Sequence, residues 1–338
     1  MERSRQIESW LARLYPGRPV TLSSASTDAS FRRYFRASLE GSSTVIVMDA
    51  PPAQEDCRPW LAVQRLFLEA GTHVPEVLAQ DLDQGFLLLS DLGRSTYLEA
   101  LQDGDSGNAD ELYADAVSSL IRIQLASRPG MLPEYDQALL RRELELFPDW
   151  YVAKHLGATL TETQREVIRQ SFDLIMAANL AEARVFVHRD YHSRNLMKIA
   201  GGQGGNPGII DFQDAVLGPI SYDLVSLFKD AYIAWDEEQT LDWLIRYWEQ
   251  ARKVGLPVPA DFADFFRNYE WMGVQRHLKV LGIFARLCHR DGKDGYLKDM
   301  PLVAAYLRKT CNRYRALGPL LKLIDELENR AAQVGYSF

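Results

Sequence analysis

Cysteine is scarce in this 338-residue chain, and the three that occur, Cys57, Cys288 and Cys311, are widely spaced and form no C-x-x-C pair. An odd, scattered set offers neither a disulfide framework nor a zinc cluster. Long apolar runs are missing too: nothing approaches the roughly 18 consecutive apolar residues of a membrane helix, and stretches such as residues 86–89 are short. The beginning of the chain has no apolar signal-peptide core; Ile7, Trp10, Leu11 and Leu14 are instead spaced along one helical face. Cytoplasmic residence is the expectation. Positive charge is not in excess, since 38 Lys+Arg stand against 46 Asp+Glu for a formal net charge of −8. There is no broad electrostatic reason to bind nucleic acid or an anionic membrane. The expected partner is a small molecule, with no nucleic acid, no membrane and no obligate protein partner implied.

What is present is ordinary globular material, 47% hydrophobic and 25% charged, long enough for about two domains at roughly 150 residues each. Strand patterns at residues 31–36 and 44–47 flank a turn at 41–43, a helix is predicted from about Pro59 to Gly71, and strands 77–79 and 86–89 flank a turn at 83–85. After a linker at residues 91–93, residues 111–125, 138–155 and 162–182 have helical spacing, interrupted by a polar loop at 103–110. Short buried strands at 185–187 and 208–210 surround a glycine-rich turn at 201–205, and helices return from Tyr222. No internal repeat is visible. The expectation is an α+β chain, with a small antiparallel β lobe over residues 1–90 and a larger, mainly helical lobe over 91–338.

One segment carries chemistry: Val187-His188-Arg189-Asp190-Tyr191-His192-Ser193-Arg194-Asn195, followed after the glycine-rich turn by Ile210-Asp211-Phe212. An aspartate, an asparagine five positions on and a second aspartate beyond a hairpin match the spacing of a kinase catalytic loop and its metal segment. Phosphoryl transfer needs a carboxylate to take the acceptor's proton, here Asp190, and hard oxygen ligands for Mg2+, here Asn195 and Asp211. A lone loop aspartate is ordinarily a turn or cap residue. The joint pattern within its apolar frame favours function. His188 and His192 are read as supports of the loop.

The segment resembles the aminoglycoside-phosphotransferase-like branch of the kinase superfamily, whose motif is H-x-D-x-x-x-x-N followed by I-D-[FW]. Gly218-Pro219-Ile220-Ser221-Tyr222-Asp223-Leu224 is similar to that branch's G-P-x-x-Y-D-L stretch, in which the aspartate buttresses the catalytic loop; a plain helix N-cap is compatible with the same role for Asp223. The resemblance implies a bilobal kinase-like fold and an ATP-dependent, Mg2+-dependent transfer. Within the branch, the words Asp28-Ala29-Ser30-Phe31-Arg32-Arg33-Tyr34-Phe35-Arg36, Met48-Asp49-Ala50-Pro51-Pro52 and Asp211-Phe212-Gln213-Asp214-Ala215 resemble the amino-sugar kinases of bacterial cell-wall recycling. This likeness implies transfer of the ATP γ-phosphate to the C1 hydroxyl of N-acetylmuramate or N-acetylglucosamine, giving the α-1-phosphate. Another small hydroxyl acceptor, or a nucleotide-binding pseudokinase, remains an alternative.

Two features depart from kinase patterns. The strand that usually holds a phosphate-binding lysine reads Val45-Ile46-Val47-Met48-Asp49, and the first lysine of the chain is Lys154. Arginines of the preceding strand are the candidate replacements, Arg33 and Arg32 ahead of Arg36. No glycine occurs between Gly17 and Gly41, so a serine-rich loop over residues 23–30, including Ser26 and Thr27, is expected to cover the phosphates. Adenine is expected against backbone near Leu88, Leu89 and Ser90. For the sugar, Gln213 and Asp214 follow the metal aspartate, and Arg276 and His277 lie on an otherwise apolar helix; a surface pair on a long helix is the alternative for the last two. No Ala-Pro-Glu segment follows Asp211, which points away from a peptide acceptor.

Overall fold

Helix α1 (Glu2–Leu14) turns Ile7, Trp10 and Leu11 inward and lays them on a sheet whose inner face carries Ala37, Leu39, Val45, Val47, Phe86 and Leu88. The computed structural model describes residues 2–27, 31–39, 43–102, 109–199 and 205–328. The turns expected at 41–43, 103–110 and 201–205 fall mostly outside them. Among the described residues no helix is long and apolar enough to cross a membrane.

Contacts divide the chain into two compact units, Met1–Ala126 with Arg194–Asp214, and Ser127–Ser193 with Ala215–Phe338. The sequence reading cuts the chain once, at residue 90. The units interleave instead because a short hairpin, β7 (Leu196–Met197) with β8 (Gly208–Ile209), bridges to Thr96 and His73 and so joins the first unit.

That unit contains β1 (Val20–Thr27), β2 (Arg33–Leu39), β3 (Thr44–Asp49), β4 (Val77–Asp81) and β5 (Phe86–Ser90) in the order β1-β2-β3-β5-β4, every pair antiparallel. β1 corrects the expectation of a serine-rich loop as far as Thr27, because Ser23 and Ser24 pair with Arg36 and Phe35; neighbouring strands can recruit a polar stretch of weak propensity. The β2 pattern is shifted two residues from the expected 31–36, leaving Phe31 62% exposed. Helix α2 (Cys57–Glu69) starts at Asp56, whose carboxylate accepts the Arg58 N–H, and α3 (Tyr97–Gln102) and α4 (Ala109–Leu125) follow. The hairpin is closely packed at Gly208, where a Cβ would meet Ile199 Cδ1 at 2.8 Å and Leu92 Cδ1 at 2.9 Å and those side-chain ends would have to shift.

The second unit is mainly helical. The helix expected over 138–155 is divided into α5 (Gln137–Leu144) and a π-helical segment, Phe147–His155. Pro148 lies in the first turn of that segment, where its missing N–H breaks the α pattern. Helix α6 (Glu162–Leu180) opens on a capping box formed by Thr161 and Gln164. Strands β6 (Arg184–Val187) and β9 (Val216–Pro219) pair antiparallel. Helices α7 (Tyr222–Phe228), α8 (Glu237–Lys253), α9 (Phe262–Asp291), α10 (Met300–Arg313) and α11 (Gly318–Leu327) complete the unit. The long α9 is its spine. A Cβ on Gly282 would come within 2.5 Å of the Leu146 backbone, so that approach is open only to glycine.

Candidate active site

Buried strand β6 delivers His188 into the loop. His188 is fully buried, its Nδ1 accepts the Asp190 N–H at 3.3 Å, and its ring lies edge-on to Tyr191. Arg189 adopts φ +78°, a conformation that costs a non-glycine residue energy and persists only when its surroundings over-determine it. Here they do. Asp223 in the first turn of α7 accepts the backbone N–H groups of His188 at 2.7 Å and Arg189 at 3.0 Å, while Arg276 Nη1 donates to the Arg189 carbonyl at 2.8 Å. The Arg189 guanidinium pairs with the buried Glu143. That carboxylate also accepts from Tyr135, from Gln275 Nε2 at 3.1 Å and from Lys279 Nζ at 2.8 Å.

Asp190 emerges from this frame with its side chain 44% exposed and Arg276 Nη2 at 3.6 Å. Partial burial pushes its carboxyl up, but the nearby Lys279, Arg276, His192 and Arg189 charges outweigh that and hold it well below the usual carboxylate range. It is an ionised, accessible carboxylate. Arg276 and His277 are both buried, which rules out the surface pair. Arg276 is committed to the loop backbone, and His277 stacks on Tyr306 with centroids 5.3 Å apart. His192 packs edge-on to Tyr232. Asp230 accepts the Ser193 N–H at 3.0 Å and the Tyr232 N–H at 3.1 Å, fixing the loop downstream of Asp190.

In the first unit, the β7/β8 hairpin brings Asn195 beside Asp211, with Asn195 Nδ2 donating to Asp211 Oδ2 at 3.3 Å and the Ile210 N–H to the Asn195 carbonyl at 3.1 Å. Asp211 has φ +63° and also accepts from Gln213 Nε2 at 2.7 Å. Phe212 anchors the turn, packed on Trp60 and Phe67 with centroids 5.0 and 5.8 Å away. Asp214 is exposed. No cluster of three or more His, Cys, Asp or Glu side chains that could hold a metal exists among the described residues. The donor set is nevertheless of the hard oxygen type that suits magnesium, which takes one or two protein ligands and completes its shell from phosphates and water.

The β2 arginines have separate partners. Arg33 faces the α1 side of the sheet, where it and Arg3 pair with the fully buried Asp49. Arg36, on the opposite face, donates to Asp91 at 2.5 and 3.0 Å and to the Gly93 carbonyl at 2.6 Å. Arg32 is near Glu55, at 3.8 Å. Leu89 is buried and paired to both β3 and β4; the Ser90 N–H donates to the Glu76 carbonyl at 2.9 Å. Ser26 and Thr27 belong to β1 by their backbone, but their side chains and residues 28–30 lie outside the described part.

Sequence reasoning overlooked Glu143, Lys279 and Asp230. A usable signal existed for the first, since Glu143 occupies the inward stripe of α5 with Leu140 and Leu144; an acidic residue in a core position implies a buried cationic partner.

Comparison with known proteins places these features in context. Residues 21–262 match the phosphotransferase enzyme family. An N-acetylmuramate/N-acetylglucosamine kinase of Neisseria meningitidis is 49% identical over 340 residues, covering 100% of both chains. A protein of the same description from Pseudomonas aeruginosa is 51% identical over 313 residues, 93% of this chain and 90% of that one. Among solved structures, the ADP-bound aminoglycoside phosphotransferase APH(2'')-Ib is similar in fold, with a TM-score of 0.58 at 15% identity, covering 89% of this chain and 96% of the other.

Proposed function

The chain belongs to the phosphotransferase enzyme family, and from that premise we propose that it is an ATP-dependent kinase of N-acetylmuramate and N-acetylglucosamine, acting on the C1 hydroxyl to give the α-1-phosphate. The single observation that carries the choice of acceptor is the likeness to such a kinase over the whole of both chains, at 49% identity. The reaction type is supported by the ionised and accessible Asp190.

Asp190 takes the proton of the anomeric hydroxyl as its oxygen forms a bond to the γ-phosphorus and the bond between that phosphorus and the β–γ bridging oxygen breaks, releasing ADP. An anomeric hydroxyl is more acidic than an ordinary alcohol, so a carboxylate base suffices. Asn195 and Asp211 are the proposed magnesium ligands. When bound, magnesium neutralises charge on the phosphates as it moves to the leaving ADP. Arg276 and Lys279 keep Asp190 charged, and Asp223 fixes the peptide that precedes it. For the nucleotide we propose Ser26 and Thr27 at the phosphates with Arg32, which is better placed than Arg33 because the latter is committed to Asp49, and backbone at Leu89 and Ser90 beside adenine. Gln213, Asp214 and His277 are the proposed acceptor contacts. Cytoplasmic residence accords with an ATP-consuming reaction.

ADP release measured with each sugar, with and without magnesium, tests the proposal. Release that requires both sugar and magnesium, and that falls about 10²–10⁴-fold in Asp190→Asn, is expected; near-normal turnover in that variant contradicts the assignment of the base.

A further inference from the structure

A recess lies within the helical unit, bounded by α8, α9, α10 and the segment after α7. It is partly open to solvent, and Lys229, Trp235, Phe266, Tyr269, Glu270 and Tyr306 are among the side chains that line it. Its lining combines aromatic rings with charged side chains, a combination that suits a ligand with an apolar face and a few polar substituents.

Its polar groups are incompletely satisfied. The hydroxyls of Tyr269 and Tyr306 are buried without a hydrogen-bonding partner among the described residues, and Tyr269 is 1% exposed. Buried polar groups are nearly always hydrogen-bonded, so such orphans ask for an explanation. The Lys229 ammonium is in a related position. It reaches Thr310 Oγ1 only at 3.5 Å, and its nearest carboxylate, Glu270, is 3.9 Å away. Glu270 is already held by Arg313 at 2.5 Å and by the Tyr314 hydroxyl at 2.8 Å. The other carboxylate of the recess, Glu237, is likewise taken by Lys309 at 2.8 Å and Arg313 at 2.5 Å. Two carboxylates thus face three cations, and Lys229, which lies over the Tyr269 ring at 4.9 Å from its centroid, is the cation without a close carboxylate.

The recess is also tied to the base. The segment carrying Trp235 is pinned to the residues after Asp190 through Asp230 and Ser193, whose hydroxyl donates to Asp230 at 2.5 Å. Helix α9 carries Glu270 at the recess and Arg276 at the Arg189 carbonyl, separated by about 9 Å of helix at 1.5 Å per residue. That is the length scale of a substituted monosaccharide.

We propose that this recess receives an acidic substituent of the acceptor sugar, with Lys229 as counter-ion to a carboxylate and the Tyr269 and Tyr306 hydroxyls as its hydrogen-bond donors. The inference rests on the amino-sugar kinase reading above and adds to it the residue that distinguishes an acceptor bearing a lactyl carboxylate from its neutral analogue. A charge-assisted contact made to one acceptor and not the other appears as a ratio of specificity constants.

The test compares kcat/KM for N-acetylmuramate with kcat/KM for N-acetylglucosamine in wild type, Lys229→Met, Lys229→Gln and Tyr306→Phe. The ratio is expected to fall at least tenfold in both Lys229 variants, mainly through KM for N-acetylmuramate, and by a smaller factor in the same sense in Tyr306→Phe. A ratio within twofold of wild type in both Lys229 variants overturns the proposal, as does an equal loss for the two sugars. If wild type transfers phosphate to neither sugar, the functional reading fails separately. Calorimetric titration with N-acetylmuramate then still reads the recess: binding to wild type that is lost in Lys229→Met supports it, and no binding, or equal binding to both, overturns it.

Discussion

The Asp223 carboxylate gives one oxygen to the His188 N–H at 2.7 Å and the other to the Arg189 N–H at 3.0 Å, so one side chain fixes the two peptides leading into Asp190. Asp223→Asn keeps a single acceptor and turns an amide N–H₂ toward a buried backbone donor. A buried unsatisfied donor costs about 1–3 kcal/mol. The expected result is a lower thermal midpoint by circular dichroism and a kcat reduced about 10- to 100-fold, with KM for ATP changed far less.

Arg276 performs two tasks at one place, holding the Arg189 carbonyl at 2.8 Å and placing its charge 3.6 Å from the Asp190 carboxylate. Burial raises the Asp190 carboxyl and the cations Lys279 and Arg276 lower it further than burial raises it. Removing one cation therefore moves it back up. Arg276→Met is expected to shift the acid limb of the kcat/KM profile to higher pH and to lower kcat; a pH profile with an unmoved acid limb contradicts this electrostatic role.

Secondary structure was largely legible, and for a local reason. The stripe of Ile7, Trp10 and Leu11 and the strands around residues 44–49 and 86–90 are written in spacing that nearby residues settle. The strand status of β1 was not legible, because Ser23 and Ser24 owe it to pairing with β2. Pro148 could have warned of the break before the π-helical segment. The aspartates and asparagine of the loop stood out by their mutual spacing. Their supports did not, since Glu143 and Lys279 meet Arg189 and Tyr222 only through long-range packing.

Glu182 gives a second pH signature, in stability. Burial raises its carboxyl to about 8 even though the Ser221 hydroxyl donates to it at 2.8 Å and the Ser221 N–H at 3.3 Å. Between its ordinary value of 4.5 and about 8, the folded chain keeps a proton that the unfolded chain releases. Unfolding then liberates a proton, and this group lowers stability as pH rises through that window. Glu182→Gln is expected to flatten the fall in thermal midpoint over the same range, and an unchanged slope contradicts the assignment.

Arg36 ties β2 to the segment after β5 through Asp91, whose side chain is 5% exposed. Breaking a buried pair by removing one partner typically costs about 3–5 kcal/mol. In Arg36→Ala the solvent reaching Asp91 lowers that, and a loss of about 2–3 kcal/mol is expected in urea unfolding. A change below about 0.5 kcal/mol contradicts a structural role for the pair.

The most direct test of the central claim is phosphorus NMR of the products formed from ATP, magnesium and N-acetylglucosamine, with Asp190→Asn as control. A sugar-phosphate resonance coupled to the anomeric proton, accumulating with ADP and absent in the variant, is expected. A resonance coupled to the C6 protons, or transfer that continues at the wild-type rate in Asp190→Asn, contradicts it.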